Sequence, residues 1–218
     1  MGWQPRFGIG VAALAPRMEN LHLIVGLGNP GAEYARTRHN AGFLLVEQLA
    51  ERWRAGWAYE KRFNARVARA ERDGCRAFLC EPQTYMNSSG EAVGPLVVFY
   101  RVPPGKMLVI VDDADLPLGE IRLRAGGGSG GHHGLESVER HLATQEFGRL
   151  RLGIGRKDGA RDITDYVLDR FDAAEAALME KVLGRAADQA ECWLDDGIEM
   201  AMNRFNGVVD SANEEKKK

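Results

Sequence analysis

An unbroken apolar run, Leu21 to Leu27, is followed by apolar residues at helical spacing from Ala41 to Trp53, and this pairing of patterns sets the fold class. A strand apolar at nearly every position has no side to offer water and must be covered on both faces. The helix that follows carries Phe43, Val46, Leu49, Ala50 and Trp53 on one stripe, the form of a cover over such a strand. The alternation continues along the chain. Strands are expected near 64–70 and 76–80, joined by a turn at Asp73-Gly74, then at Met107 to Val111, Glu120 to Ala125 and Arg149 to Ile154. Helices are expected over Leu135 to Leu142 and around Leu178 to Leu194. Asn40 is placed to cap the first helix, and Ser88 with Glu91 has capping-box spacing for another, which Pro95 should kink or delay. The order implies a single-domain α/β fold, a three-layer α/β/α sandwich with a twisted mixed β-sheet. A chain of 218 residues is long enough to bury one core of that kind.

The domain is expected over residues 21–206. Residues 1–20 form a leader expected to be disordered, and 207–218 a charged tail ending Asn-Glu-Glu-Lys-Lys-Lys. The leader's apolar stretch, Phe7 to Ala15, has features of a signal peptide, but it is short, carries one positive charge before it, and is followed directly by Pro16. A disordered leader on a cytoplasmic protein, or translation that starts at Met18, explains it as well. Apolar residues make up 44% of the chain and charged residues 28%, the composition of an ordinary globular protein, which indicates neither wholesale disorder nor a membrane span. Three cysteines with no CxxC pair support neither a disulfide framework nor a zinc site. A formal charge of −2 argues against coating nucleic acid by bulk charge, and leaves room for a local basic patch.

Three segments carry the chemistry. Gly26-Leu-Gly28-Asn-Pro-Gly31 follows a strand and matches the dinucleotide fingerprint GxGxxG, but no helix follows it directly and no acidic residue closes a second strand at the required distance. The segment instead leads to His39, beside the positive end of a helix. That field disfavours imidazolium, so a neutral His39 able to accept a proton is expected. Glu81 to Gly90 brings Tyr85, Met86, Asn87 and Ser88 to a strand-to-helix junction where polar side chains and free backbone donors emerge. Gly126 to Leu135 surrounds Ser129 with glycines and ends in His132-His133 at a helix N-terminus, where backbone can approach a ligand closely and aim N–H groups at an oxyanion or phosphate.

Asp112, Asp113 and Asp115 follow the strand that ends at Val111, and one of them can hold the His39 imidazole in the tautomer a base needs. The other acids can equally serve the turn at Leu116 to Gly119. No serine or cysteine sits in a nucleophile elbow, so water activated by a histidine is preferred to a covalent intermediate. Arg122 and Arg124 share one face of their strand, as do Arg149 and Arg151 on theirs. Were those faces to adjoin, they would form a phosphate clamp.

Taken together, GLGNPGAEYARTRHNAGF, PQTYMNSSGEAV, VDDADLPLGEIRLR, GGHHGL and RLRLGIGR resemble the signature segments of bacterial peptidyl-tRNA hydrolases, over about Leu21 to Asn206. The resemblance implies a monomeric, cytoplasmic hydrolase that cleaves the ester between a peptide and the 3′ end of tRNA with neither metal nor cofactor. By matching position it implies His39 as catalytic base, Asp112 as its support, Asn29 as discriminating blocked from free esters, and Asn87 as orienting substrate and water. Tyr34, Tyr85, His132 and His133 match substrate contacts, and Arg122, Arg124 and Arg151 a grip on the tRNA end. At His133 the family usually has asparagine. An imidazole cannot present an amide's donor and acceptor together, so altered substrate affinity or pH dependence is expected there. The competing class is a non-catalytic RNA-binding relative, acting as a splicing or RNA-processing cofactor. It would tolerate loss of His39, Asn29, Asn87 and Asp112, and all four are present.

Overall fold

The computed structural model describes residues 20–72, 74–156 and 163–209. Residues 1–19 of the expected leader, all of the tail after Val209, and Asp73 of the expected turn lie outside those residues. An eight-stranded mixed sheet occupies the middle of the molecule, in the order β2 (Trp57–Glu60), β3 (Ala65–Arg72), β4 (Cys75–Pro82), β1 (Leu21–Gly26), β5 (Met107–Asp113), β7 (Gly148–Gly153), β6 (Glu120–Arg124), β8 (Gly207–Val208). The central strands β4, β1, β5 and β7 run parallel, and the outer pairings are antiparallel. β1 lies between two parallel neighbours, which is why its sequence has no solvent-facing alternation.

Each face of the sheet has its own core. On one side Ile24, Leu79, Ile110, Leu123 and Leu152 pack under α1 (Ala41–Arg52), α5 (Ala173–Asp196) and α6 (Ile198–Phe205). On the other, Leu23, Val25, Phe78, Val109 and Val111 pack under α2 (Ser89–Tyr100) and α3 (His133–Leu142). The short α4 (Ile163–Leu168) lies beside the C-terminal ends of the parallel strands. The three-layer sandwich expected from the sequence holds. The sequence pattern passed over β2, β8, α4 and α6, the last being separated from α5 by Gly197 alone.

Two expected caps do not form. Asn40 belongs to a 3-10 turn, Arg38–Asn40, that leads directly into α1, and its side chain makes no cap hydrogen bond. It reaches instead to the backbone of Asn29. The Ser88 hydroxyl donates to the Glu91 carboxylate, 2.9 Å away, and leaves the backbone uncapped. Pro95 neither breaks nor delays α2, which starts at Ser89 and runs past it. Burial of Val93, Leu96 and Val97, at about 1.5–3 kcal/mol each, outweighs the roughly 3 kcal/mol penalty of an interior proline.

One close approach positions the site. A Cβ on Gly42 would lie 2.5 Å from Ile110 O and from Leu27 N, so only glycine lets the start of α1 sit on the ends of β1 and β5. His39, three residues earlier, is thereby brought to Asp112 near the end of β5.

Candidate active site

A cleft of about 610 Å³ opens at the C-terminal ends of the central strands. Asn29, His39, Tyr85, Asn87, Asp112, His132, His133 and Arg151 all line it, so the three segments singled out in the sequence do converge. Tyr34 does not reach the cleft lining. It lies half-buried in the preceding turn, where its carbonyl accepts from the Thr37 N–H and hydroxyl.

Asp112 is 3% exposed and organises the centre. Its Oδ1 accepts from His39 Nδ1–H at 2.9 Å and from His132 Nε2–H at 3.1 Å. The proton positions follow from the partners. An ionised carboxylate only accepts, so His39 must carry its proton on Nδ1, which leaves Nε2 as its basic atom. His132 caps α3, with Nδ1 accepting from Leu135 N–H at 3.3 Å, so its proton is on Nε2.

Burial is the largest influence on the His39 pKa and lowers it, but the charge and hydrogen bond of Asp112 together outweigh burial and leave the value raised. The helix-dipole expectation of a suppressed His39 is therefore corrected: a carboxylate at hydrogen-bond distance dominates a terminal dipole. Burial raises Asp112, but attraction to His39, the hydrogen bonds from His132 and His39, and attraction to His132 leave it well below the usual carboxylate range. His39, Asp112 and His132 also bring one ligand atom each within 4.8 Å of one another, the reach of a metal site. A metal would need a lone pair on His132 Nε2, where the bond from Leu135 places the proton. The trio is better suited to a doubly hydrogen-bonded carboxylate.

Asn29 is fixed from two directions. Asn40 Oδ1 accepts from the Asn29 N–H and Asn40 Nδ2 donates to the Asn29 carbonyl, both at 2.9 Å. The Asn29 side-chain oxygen accepts from Met86 N–H at 2.8 Å, so the amide N–H groups are what Asn29 offers the cleft. Asn87 is exposed in the adjoining 3-10 turn, Met86–Ser88, and Tyr85 stands 64% exposed at the rim. His133 reaches solvent with 75% of its side chain exposed and pairs with Glu136 at 3.2 Å.

The arginine faces do adjoin, since Arg122 is registered opposite Arg151 and Arg124 opposite Arg149 across β6 and β7. Arg149, however, is 1% exposed and holds the glycine-rich segment through the carbonyls of Gly127 and Gly128, with further bonds to Gln145 O and Glu139. Arg149 is thus structural; of the other three arginines, Arg151 lines the cleft, and Arg122 and Arg124 lie on the neighbouring strand outside its lining. Arg151 also ties down the segment, donating to Gly128 O, Ser129 O and Asp113.

Sequence reasoning gave Asn40 only the part of a helix cap, and passed over the apolar wall that Ile163, Val167 and Leu168 of α4 give the cleft. Helical periodicity cannot be read from six residues. The only signal for Asn40 was its place beside His39.

The family model described as peptidyl-tRNA hydrolase matches residues 23–217. A peptidyl-tRNA hydrolase of Synechococcus sp. (strain JA-3-3Ab) is 50% identical over 191 residues, covering 88% of this chain and 85% of its own. One from Mycobacterium tuberculosis (strain ATCC 25177 / H37Ra) is 48% identical over 84% of this chain and 96% of its own. The crystal structure of the Acinetobacter baumannii peptidyl-tRNA hydrolase superposes with a TM-score of 0.83 at 39% identity, covering 89% of this chain and 98% of that one. This chain belongs to the peptidyl-tRNA hydrolase family.

Proposed function

We propose that this protein hydrolyses the ester joining a peptide, or another N-blocked aminoacyl group, to the 3′ end of tRNA, and so frees tRNA from aborted translation. Membership of the family and the names of its relatives support the reaction. The arrangement of His39, Asp112 and Asn29 supports the mechanism. His39 Nε2 takes a proton from water, which attacks the ester carbonyl carbon, while Asp112 holds the imidazole and stabilises the imidazolium formed. The Asn29 amide N–H groups are available to the developing oxyanion, and Asn87 to orient the substrate carbonyl and the water. The carbon–oxygen bond to the ribose then breaks, its oxygen takes the proton from His39, and the products are the peptide acid and tRNA with a free hydroxyl. Every bond in that sequence balances without metal or cofactor.

Arg122, Arg124 and Arg151 lie on the sheet face shared with the glycine-rich segment, where they would meet the phosphates of the tRNA end. The enzyme would work as a monomer in the cytoplasm. Among the described residues, no helix is long and apolar enough to cross a membrane.

The single observation carrying the proposal is the His39 Nδ1–H to Asp112 hydrogen bond at the cleft floor, which leaves Nε2 free to act as base. The reaction is tested by offering N-acetyl-aminoacyl-tRNA and unblocked aminoacyl-tRNA in parallel. Release from the blocked ester alone is expected, and binding of tRNA with cleavage of neither ester would favour the non-catalytic relative.

A further inference from the structure

His39 is preceded by an arginine that is 3% exposed and takes no part in the chemistry above. The Arg38 side chain enters the space between α4 and the start of α5. Its Nη1 donates to the Tyr166 carbonyl at 3.3 Å and its Nη2 to Glu175 at 2.6 Å. Its guanidinium lies over the rings of Tyr166, 4.4 Å from the centroid, and Phe171, 5.3 Å from the centroid. The backbone is bound as well: Arg38 N–H donates to Asp169 O, and Thr37 forms an antiparallel bridge with Arg170. Tyr166 in turn donates its hydroxyl to Ile154 O at the end of β7.

α4 therefore has two working sides. Tyr166 faces Arg38 and the core, while Ile163, Thr164, Val167 and Leu168, related by i, i+4 spacing, line the cleft across from the histidines. With six residues and few buried contacts of its own, such a helix is not held by intrinsic propensity.

We propose that Arg38 is a positioning residue that fixes α4 as the apolar wall receiving the acyl part of the substrate, and joins that wall rigidly to the turn carrying His39. This rests on the assignment of the cleft as the ester-binding site. Arginine suits the task because its planar fork serves two acceptors while both aromatic rings pack on it, and a lysine ammonium can do neither in that way.

The test compares Arg38→Lys and Arg38→Met with the unmodified protein in two measurements. Amide hydrogen exchange without substrate is expected to quicken in residues 163–168 while the strands keep their protection. With N-acetyl-phenylalanyl-tRNA, KM is expected to rise on the order of tenfold, with the acidic limb of the kcat pH profile unmoved, because the His39 to Asp112 contact is intact. Unchanged exchange in 163–168, or exchange quickened equally throughout the molecule, would overturn the proposal. So would loss confined to kcat with a displaced pH limb. The exchange measurement needs no turnover, so it separates failure of this latch from failure of the catalytic assignment, which the His39→Ala variant alone decides.

Discussion

The side chain of Asn40 grips the backbone of Asn29 at two points, accepting from its N–H and donating to its carbonyl, both at 2.9 Å. The residue after the proposed base thus holds the residue proposed to meet the oxyanion. Asn40→Ala should strand both buried backbone groups, at about 1–3 kcal/mol each, and lower kcat more than it raises KM. Urea unfolding together with Michaelis kinetics checks this. A variant as stable and as fast as the original would remove the link.

Removal of the Asp112 charge should leave burial to govern His39. The pKa of His39, now raised, would then fall below its ordinary value. Asp112→Asn is expected to move the acidic limb of the kcat/KM profile to lower pH while reducing the plateau by roughly 10²–10⁴-fold. An acidic limb that stays in place would show that some other group sets it.

Glu81 is wholly buried and its carboxyl is pushed up to about 7, chiefly by burial; Arg66 opposes the rise and Glu47 adds to it. Its folded pKa lies above its unfolded value, so the stability it contributes is full below about 4.5 and is lost as pH rises through about 7. The loss amounts to roughly 2–4 kcal/mol. Glu81→Gln should flatten that fall, gaining on the unmodified protein at pH 8 relative to pH 5. Denaturant melts at the two pH values make the comparison, and parallel changes in both proteins would count against it.

The arginines divide by burial. Arg122→Ala or Arg124→Ala should weaken tRNA binding for every sequence alike and reduce the salt slope by about 0.7–0.9, the release of one counterion. Arg149→Ala should instead destabilise the protein, since it strands the carbonyls of Gly127 and Gly128 and leaves Glu139 without this partner. Filter binding across a salt series, set beside thermal melts, separates the two classes.

The sandwich was legible because β1 and α1 show different periods, and each period implies a different kind of burial. The site was legible where side chains act for themselves: His39, Asp112, Asn87 and His132 all reach the cleft. It was hidden where one residue acts through another's backbone. Asn40 looked like a helix cap because its type and place fit one, and nothing local reveals that Asn29 lies beside it. Arg149 and Arg151 share a strand face with the same pattern, yet one is buried under glycine carbonyls and the other borders the cleft. The His39 pKa was misjudged for the same reason, since the helix end is local in sequence and Asp112 is 73 residues away.

The most direct test of the account is single-turnover hydrolysis of N-acetyl-aminoacyl-tRNA by the unmodified protein and by His39→Ala, with tRNA affinity measured in both. A base at His39 predicts a rate lower by roughly 10²–10⁴-fold at unchanged affinity. Hydrolysis by His39→Ala at the original rate would contradict it, and would move the base to another group in the cleft.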